Sequence, residues 1–546
     1  MGLKMSKLSL EEKIGQLFIC GFHGLEADEQ IKTLTKDYHI GGTVYFRRNV
    51  ESVRQLAALS ASLQALPRNN PELPLFISID QEGGMVARLD HEGMSRIPGN
   101  MTLGAAGDAG LTEEAAILAA KEMLALGINF NFAPCIDVNN NPSNPVIGVR
   151  SFGEDPVKVA EHGNAAIRGY QQTGVIATAK HFPGHGDTAV DSHRGLAVVP
   201  HDKERLSRIE LLPFREAISA GVDAIMTAHV IFPAFEPEEI PATLSGRVLT
   251  DLLRDELGYD GVIVTDCLEM HAISKSCGIP EGAVRAIEAG ADIVLVSHTL
   301  SDQIAAIEAV REAVLSGRLS EERIDQSVER VLGLKAKRLA GSASSYGGDP
   351  AFVPVPLTPS EESRALLAKI AEGSVTLVKD EGNLPLNCAE PVLVIWPELR
   401  HRTEVDEPAV HRYNLADALR PYGDGVVLSV IGTHPDDEEI LAALKQSANY
   451  EQIVVVTYTA EGEIPEGQSR LIEALNRAHG SKVIVVSTRN PYDINAFPDT
   501  GTYLCLYENR SFSLDALAKV LTGKLAPTGK LPVGLNDRYP VGYGLS

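Results

Sequence analysis

The segment 180–193 concentrates side chains that can do chemistry. It reads KHFPGHGDTAVDSH and contains three histidines, two aspartates and a lysine, with one proline and two glycines among them. Such groups can bind a metal ion, activate a serine, transfer protons, or satisfy backbone groups within a structural loop. Their spacing and their place in the predicted fold bear on which of these applies.

Metal binding is the first interpretation of this segment. His181 and His185 are four residues apart, which is the spacing of two zinc ligands on a helix. Pro183 lies between them and disfavours a regular helix at this point. A loop could still bind a metal ion through these two histidines, Asp187 or His193. The spacing therefore leaves a metal-dependent hydrolase open.

Serine catalysis and acid–base catalysis are the next two interpretations. Asp191, Ser192 and His193 superficially resemble a Ser-His-Asp triad, but consecutive side chains of an extended segment point in opposite directions, and the chain has no GxSxG elbow. Asp191 and His193 are two positions apart, so their side chains share one side and can hydrogen-bond. The carboxylate would orient the imidazole and favour its protonated form. The pair would then donate a proton near neutral pH.

A proton donor of this kind needs a partner group, and Asp266 at the end of GVIVTD is the candidate. A carboxylate nucleophile combined with a proton-donating side chain is the logic of a retaining glycosidase. On the residues alone this is the preferred interpretation, beside a metal site and a loop whose histidines bind local backbone groups.

The first 340 residues repeat one pattern: a short apolar run, a polar or glycine-rich loop, and an amphipathic helix. This alternation predicts a parallel sheet covered by helices, because the strands are buried on both faces. Seven runs fit a (β/α)8 TIM-type barrel with one unrecognised strand better than an open sheet. The predicted strands are GGTVYF (41–46), LPLFISID (73–80), INFNFAPCIDV (128–138), VIATAKHF (175–182), AIMTAHV (224–230), GVIVTD (261–266) and DIVLVS (292–297).

Polar residues stand where these predicted strands end. Strand ends of a barrel converge on one face, where active sites are built, although each residue alone could instead cap the following helix. Their shared position favours a common site. The residues are Asp80, Asp137, Lys180, His181, His229 and Asp266.

A change in composition at 341–360 predicts a linker between two domains. This segment, GSASSYGGDPAFVPVPLTPS, is dominated by glycine, serine and proline. We therefore expect a barrel at 1–340 and a smaller, doubly wound α/β sandwich domain with a parallel sheet at 361–546. The second domain contains no GxGxxG or Walker phosphate-binding signature.

Charge and composition exclude several classes of function. The 546 residues carry a net charge of −24, which argues against a nucleic-acid or anionic-membrane surface. No stretch approaches the roughly 20 apolar residues that a membrane span needs. Six scattered cysteines without CxxC spacing suit reduced thiols. No signal peptide is recognisable, so we expect a cytoplasmic protein, or an exported one if a native signal is absent from this sequence.

Six stretches of the first domain resemble glycoside hydrolase family 3, in its β-N-acetylhexosaminidase (β-N-acetylglucosaminidase) branch. They occur in the order of the family and extend over nearly the whole first 340 residues. The linker and second domain resemble the two-domain type found in Gram-positive members. The stretches are IDQEGGMVARL (79–89), FAPCIDV (132–138), GVRSFGEDP (148–156), KHFPGHGDTAVDSH (180–193), MTAHVIFPA (226–234) and PATLSGRVLTDLLRDELGYDGVIVTDCLEM (241–270).

The resemblance implies a retaining mechanism without a metal ion or other cofactor. Asp266 would be the nucleophile, and His193 paired with Asp191 would be the acid/base. The implied substrate is an oligosaccharide with a terminal β-linked GlcNAc, from peptidoglycan or chitin fragments; a phosphorylase using the same residues is the alternative. Oligomeric state is left open. The residues implied to bind the sugar are Asp80, Arg88, Arg150, Lys180 and His181.

Overall fold

The computed structural model describes residues 7–70, 72–189, 195–340, 359–398 and 413–546. Asp191 and His193, the predicted acid/base pair, lie outside the described residues, as does most of the predicted linker. Among the described residues, no helix is both long enough and apolar enough to cross a membrane.

Eight parallel strands close into a barrel in the first domain, as predicted. The unrecognised strand is the first one, FICG, which pairs with its neighbours on both sides and closes the ring. In order around the barrel the strands are β1 (Phe18–Gly21), β2 (Gly42–Tyr45), β3 (Phe76–Ile79), β6 (Phe130–Asn131), β7 (Ile176–Phe182), β9 (Ala224–Thr227), β11 (Val262–Cys267) and β12 (Ile293–Val296). Two short pairs lie outside the ring: β4 (Gln81–Gly83) with β5 (Val86–Ala87), and β8 (Ala197–Val198) with β10 (Val230–Ile231).

Helices follow most barrel strands and cover the outside of the ring. Side chains that accept hydrogen bonds from the first turn start several of them; Asp155, for example, accepts from the backbone nitrogen of Val157 at 2.8 Å. A π-helix spans Arg247–Glu256. The α-helices are α1 (Leu10–Gly15), α2 (Glu29–Asp37), α3 (Val53–Gln64), α4 (Asn100–Ala106), α5 (Ala109–Ala125), α6 (Pro156–Thr173), α7 (Lys203–Arg208), α8 (Leu211–Ser219), α9 (His271–Ser274), α10 (Ile279–Ala289), α11 (Leu300–Leu315) and α12 (Glu321–Leu339).

Aromatic side chains fill the interior of the barrel. Phe76, Phe130 and Phe132 are fully buried, and successive ring centroids are 5.2 Å apart in edge-to-face contact. A filled interior is the rule for barrels of this size, so the fold is a packed core and not a pore. Open space for a ligand is therefore found at the end of the barrel.

The second domain contains a six-stranded sheet with helices on both faces. Five strands are parallel, as predicted, but the first runs antiparallel to its neighbour, so the prediction of an all-parallel sheet is wrong for this edge strand. In sheet order the strands are β13 (Thr376–Asp380), β18 (Thr502–Cys505), β17 (Val483–Ser487), β16 (Gln452–Thr457), β14 (Val392–Glu398) and β15 (Val426–Gly432). The helices are α13 (Glu361–Ser374), α14 (Leu415–Leu419), α15 (Asp437–Ser447), α16 (Glu466–His479) and α17 (Ser511–Leu521).

The two domains pack directly against each other. Met101 and Ala105 on α4 of the barrel are buried within a core cluster of the second domain. Backbone hydrogen bonds of 3.0 Å cross the interface, from Lys530 to Ala105 and from Glu154 to Pro532. The second domain is thus attached to the barrel beside the loops that follow the barrel strands.

Candidate active site

A cavity of about 480 Å³ opens at the carboxyl ends of the barrel strands. This volume lies within the usual range of small-molecule sites. The structure places six of the eight predicted site residues in its lining, and the other two lie outside the described residues. The six are Asp80, Arg88, Arg150, Lys180, His181 and Asp266.

A network of four charged side chains, three of them buried, forms one wall of the cavity. Lys180 Nζ lies 2.9 Å from Asp80 Oδ1 and 2.7 Å from Glu82 Oε1. Arg150 binds both oxygens of Glu82, at 3.0 and 2.8 Å. Burial opposes ionisation of Glu82, but Arg150 and Lys180 outweigh it and hold its pKa well below the ordinary value. Glu82 is therefore charged near neutral pH and holds the two cations in place.

Glu82 is a site residue that sequence reasoning missed. It stands two positions after Asp80, so alternation along an extended chain could have placed both side chains on the same side. Asp80 ends the predicted strand, and Glu82 lies beyond that end. Arg88 from the same segment also lines the cavity, with one guanidinium nitrogen 3.9 Å from Asp80 Oδ2.

Asp137 makes hydrogen-bond contacts with both His181 and His185. The carboxylate lies 2.7 Å from His181 Nδ1 and accepts from the His185 backbone nitrogen at 2.6 Å. Burial would raise the pKa of Asp137, but the contacts with His181 and His185 lower it to about 2. Burial lowers the pKa of His185 to about 4, with a further contribution from His181, so its ring is neutral at pH 7. His185 lines the cavity but is not a proton donor at that pH.

Asp266 lies on another part of the lining, at the end of β11. Its Oδ1 accepts a hydrogen bond from the backbone nitrogen of Cys267 at 2.7 Å. The Cys267 thiol is protonated at neutral pH, because burial, and then the charge of Glu269, raise its pKa to about 12. At this point the cavity is therefore lined by the Asp266 carboxyl group and a protonated thiol.

Glu269 connects the loops that follow β11 and β12. Its two carboxylate oxygens accept three backbone N–H groups, at 2.7, 2.7 and 2.9 Å, from Ser297, His298 and Thr299. Hydrogen bonds to a charged group are the stronger ones in proteins. Glu269 therefore fixes the loop that begins at Asp266, and sequence reasoning did not single it out.

Metal binding would require a cluster of possible ligand atoms among the described residues. Two groups bring possible ligand atoms within 4.8 Å of one another. In each group the carboxylate already accepts several protein hydrogen bonds, so a cation would have to displace them. Neither group is therefore a preformed metal site. The groups are Cys135, Asp137 and His181, and Cys267, Glu269 and His298.

Two further polar residues noted in the sequence support the site from outside the lining. His229 contacts Thr243 Oγ1 at 2.8 Å and the Cys267 carbonyl at 3.0 Å, behind β11. Asp187 Oδ2 lies 2.5 Å from His201 Nε2, and these residues flank the part of the chain that contains Asp191 and His193. His229 therefore ties the end of β11 to Thr243, and Asp187 and His201 are tied to each other.

A closed parallel barrel with a polar cavity at its carboxyl end has the architecture of a barrel enzyme. Comparison with known proteins identifies the family. The profile of the Glycosyl hydrolase family 3 N terminal domain matches residues 9–334, and that of the Glycosyl hydrolase family 3 C-terminal domain matches residues 289–540. The chain belongs to glycosyl hydrolase family 3. The predicted family and the predicted glycosidase class of enzyme are confirmed.

Relatives with named activities cover either the whole chain or mainly the barrel. The solved structure of a family 3 β-N-acetylglucosaminidase from Paenibacillus sp. str. FPU-7 is 51% identical, covers 97% of this chain and 99% of its own, and has a TM-score of 0.92. Beta-hexosaminidase A of Pseudoalteromonas piscicida is 34% identical over 93% of this chain and 91% of its own length. A β-hexosaminidase of Stenotrophomonas maltophilia (strain R551-3) is 39% identical over 52% of this chain and 83% of its own.

Proposed function

We propose that this protein is a retaining exo-β-N-acetylglucosaminidase that removes terminal β-linked GlcNAc from oligosaccharides. The observation that carries the proposal is the 51% identity, over nearly the whole of both chains, to a β-N-acetylglucosaminidase. The cavity supports it, because a carboxylate and a group of fixed cations line the same space of about 480 Å³.

In the first step, an Asp266 oxygen attacks the anomeric carbon while the bond to the leaving oxygen breaks. His193, oriented by Asp191, gives its proton to that oxygen, and a covalent glycosyl ester of Asp266 remains. In the second step, His193 takes a proton from water, the water oxygen bonds to the anomeric carbon, and Asp266 leaves as a carboxylate. Two inversions at one carbon retain the configuration.

The carboxylates described in the cavity lining support a proton donor from elsewhere. Asp80 and Glu82 are ion-paired with Lys180, and Glu269 accepts three backbone N–H groups. A carboxylate with such partners already uses its oxygens to hold protein groups in place. This leaves the role of general acid to a residue such as His193, which follows the cavity-lining His185 in the chain.

The charged network on the cavity wall suits the hydroxyl groups of a terminal sugar. Lys180 and Arg150 donate hydrogen bonds, and Asp80 accepts them. We assign sugar binding to these three residues together with Arg88 and His181. Because Glu82 and Asp137 fix the cations and the His181 ring in advance, little order is lost when the sugar binds.

Peptidoglycan or chitin fragments are the proposed natural substrates, and recycling of cell-wall fragments in the cytoplasm is the proposed role. A phosphorylase is the alternative, in which phosphate replaces water in the second step. A histidine base tolerates an anionic acceptor, whereas a carboxylate base would repel it. The same residues can therefore serve either reaction.

Turnover of 4-nitrophenyl β-N-acetylglucosaminide, with and without phosphate, tests the proposal. Release of β-GlcNAc in both conditions, seen by NMR before mutarotation, is the expected result. GlcNAc-1-phosphate formed with phosphate would instead establish the phosphorylase. An α-anomer as first product would refute retention, and turnover of the glucoside in preference would refute the proposed sugar.

A further inference from the structure

The second domain binds the hairpin β4–β5, which begins directly after Asp80. Arg510, a few residues after β18, forms an ion pair with Asp90 and donates a hydrogen bond to the carbonyl of Gly84 at the hairpin tip. Arg96 Nε approaches the other oxygen of Asp90, at 3.2 Å. One guanidinium therefore holds the turn of the hairpin and the segment that follows it.

A second contact fixes the segment on which the hairpin tip rests. Glu508 Oε2 accepts from the Gly99 backbone nitrogen at 2.9 Å, and Glu508 Oε1 accepts from Ser513 at 2.7 Å. Gly84 packs on Gly99 so closely that a Cβ at Gly84 would lie 2.6 Å from the Gly99 Cα. Arg510 thus binds the hairpin tip directly, and Glu508 binds the segment on which the tip packs.

Three of the groups that line the cavity lie in the hairpin or directly beside it. Asp80 precedes it, Glu82 lies on β4, and Arg88 follows β5. Glu82 in turn holds the two cations of the network. A displacement of about 1 Å in such a constellation can reduce catalysis by about a hundredfold. The position of the hairpin therefore affects the sugar-binding wall as a whole.

We propose that Arg510 is a positioning residue, through which the second domain keeps the β4–β5 hairpin and its sugar-binding groups in place. It acts through Asp90 and Gly84 and does not line the cavity. The kinetic test of this inference rests on the proposed function, whereas its structural test does not.

Arg510→Ala is the principal variant, and Arg510→Lys is the milder one. With 4-nitrophenyl β-N-acetylglucosaminide we expect Arg510→Ala to raise KM about tenfold with a smaller change in kcat, because ground-state sugar contacts are displaced. Lysine keeps the charge beside Asp90, but it has one nitrogen where arginine uses two to reach Asp90 and Gly84, so an intermediate KM is expected. Asp90→Asn should raise KM similarly, and the double variant should be no worse than the single ones.

Glu154→Ala provides the matched control at the same domain interface. Glu154 accepts a hydrogen bond of 2.9 Å from the Gly534 backbone nitrogen, away from the hairpin. We expect this variant to lower the melting temperature as Arg510→Ala does, but to leave KM unchanged. An equal KM in the two variants would overturn the inference, since both substitutions would then only weaken the interface.

Hydrogen exchange provides the readout that does not depend on the substrate. In full-length Arg510→Ala, the amides of residues 81–90 should exchange faster than in the wild-type protein. In Glu154→Ala, the same amides should exchange at the wild-type rate. Unchanged exchange in this segment would refute the positioning role. If the wild-type protein did not turn over the aryl glycoside, the proposed function would fail, while the exchange result would still decide the role of Arg510.

Discussion

Asp137 holds His181 at two points: its Oδ2 lies 2.7 Å from the ring Nδ1 and 3.1 Å from the backbone nitrogen. With Nδ1 donating to the carboxylate, Nε2 is the acceptor, and it faces a guanidinium nitrogen of Arg150 at 3.4 Å. The orientation and tautomer of the ring are thus set by protein groups before any ligand binds. Asp137 itself does not line the cavity, although it controls a residue that does.

His185→Asn is expected to alter how stability depends on pH. The folded-state pKa of His185 is lowered to about 4 from an ordinary value of 6.5, mainly by burial. Between these values the unfolded chain binds the proton and the folded protein does not, so this histidine lowers stability by up to about 3 kcal/mol as pH falls from 6.5 to 4. The asparagine variant lacks this loss.

Urea unfolding of both proteins at several pH values checks the prediction. The stability difference between wild type and variant should shrink on acidification from pH 7.5 to 4.5. Burial lowers the pKa of His162 to about 4 as well, but that residue is present in both proteins and cancels from the comparison. A difference that stays constant with pH would contradict the assignment.

Asp266→Ala should reduce kcat on the aryl glycoside by at least about a thousandfold, because no nucleophile remains to form the covalent intermediate. Asp266→Asn should be equally inactive while keeping an oxygen for the Cys267 backbone nitrogen. Azide added to the alanine variant should restore release of nitrophenol with formation of the α-glycosyl azide. Residual activity near that of the wild type would rule out Asp266 as the nucleophile.

His193→Ala should affect substrates according to their leaving group. A natural disaccharide needs protonation of the departing oxygen, so its turnover should fall by about 10²–10⁴-fold, and that of the nitrophenyl glycoside by less. In Asp191→Asn, turnover of the disaccharide should again fall more than that of the nitrophenyl glycoside, and both should fall less than in His193→Ala. Comparison of kcat/KM for the two substrates tests this, and equal losses on both would contradict the acid/base role.

Glu269→Ala should reduce both stability and activity. It leaves three backbone N–H groups without their carboxylate, at a typical loss of about 1.5–3 kcal/mol for a hydrogen bond to a charged group. The loop after Asp266 then loses its anchor, and kcat/KM should fall about tenfold or more. Glu281→Ala removes an exposed pair with Arg318 and serves as control, with an expected change below about 1 kcal/mol. Similar effects of both substitutions would refute the anchoring role.

Much of the fold could be predicted because buried parallel strands form continuous apolar runs. The first strand, β1 (FICG), was not recognised; it is four residues long and begins only three residues after the end of helix α1. The direction of β13 could not be predicted, since an antiparallel edge strand has the same apolar pattern as a parallel one. Apolar pattern specifies burial, and it does not specify which neighbour a strand pairs with.

The site was predictable where a residue ends a predicted strand, as for Asp80, Lys180 and Asp266. The role of Glu269 could not be predicted, although it lies in a matched stretch, because its partners are backbone groups 28 to 30 positions away. The role of Arg510 depends on contacts with Asp90 and Gly84 across more than 400 positions. Such contacts exist only once the two domains have packed.

The barrel is completed by the pairing of its first and last strands, β1 and β12. During synthesis the ring therefore cannot close until residue 296 has left the ribosome, and until then β1 lacks its partner β12 and exposes an unpaired backbone edge. Synthesis of the second domain begins only after the last barrel strand is available. Its attachment to the hairpin at Asp90 is thus a late event, and the charged wall of the cavity reaches its final form only after Arg510 has been made.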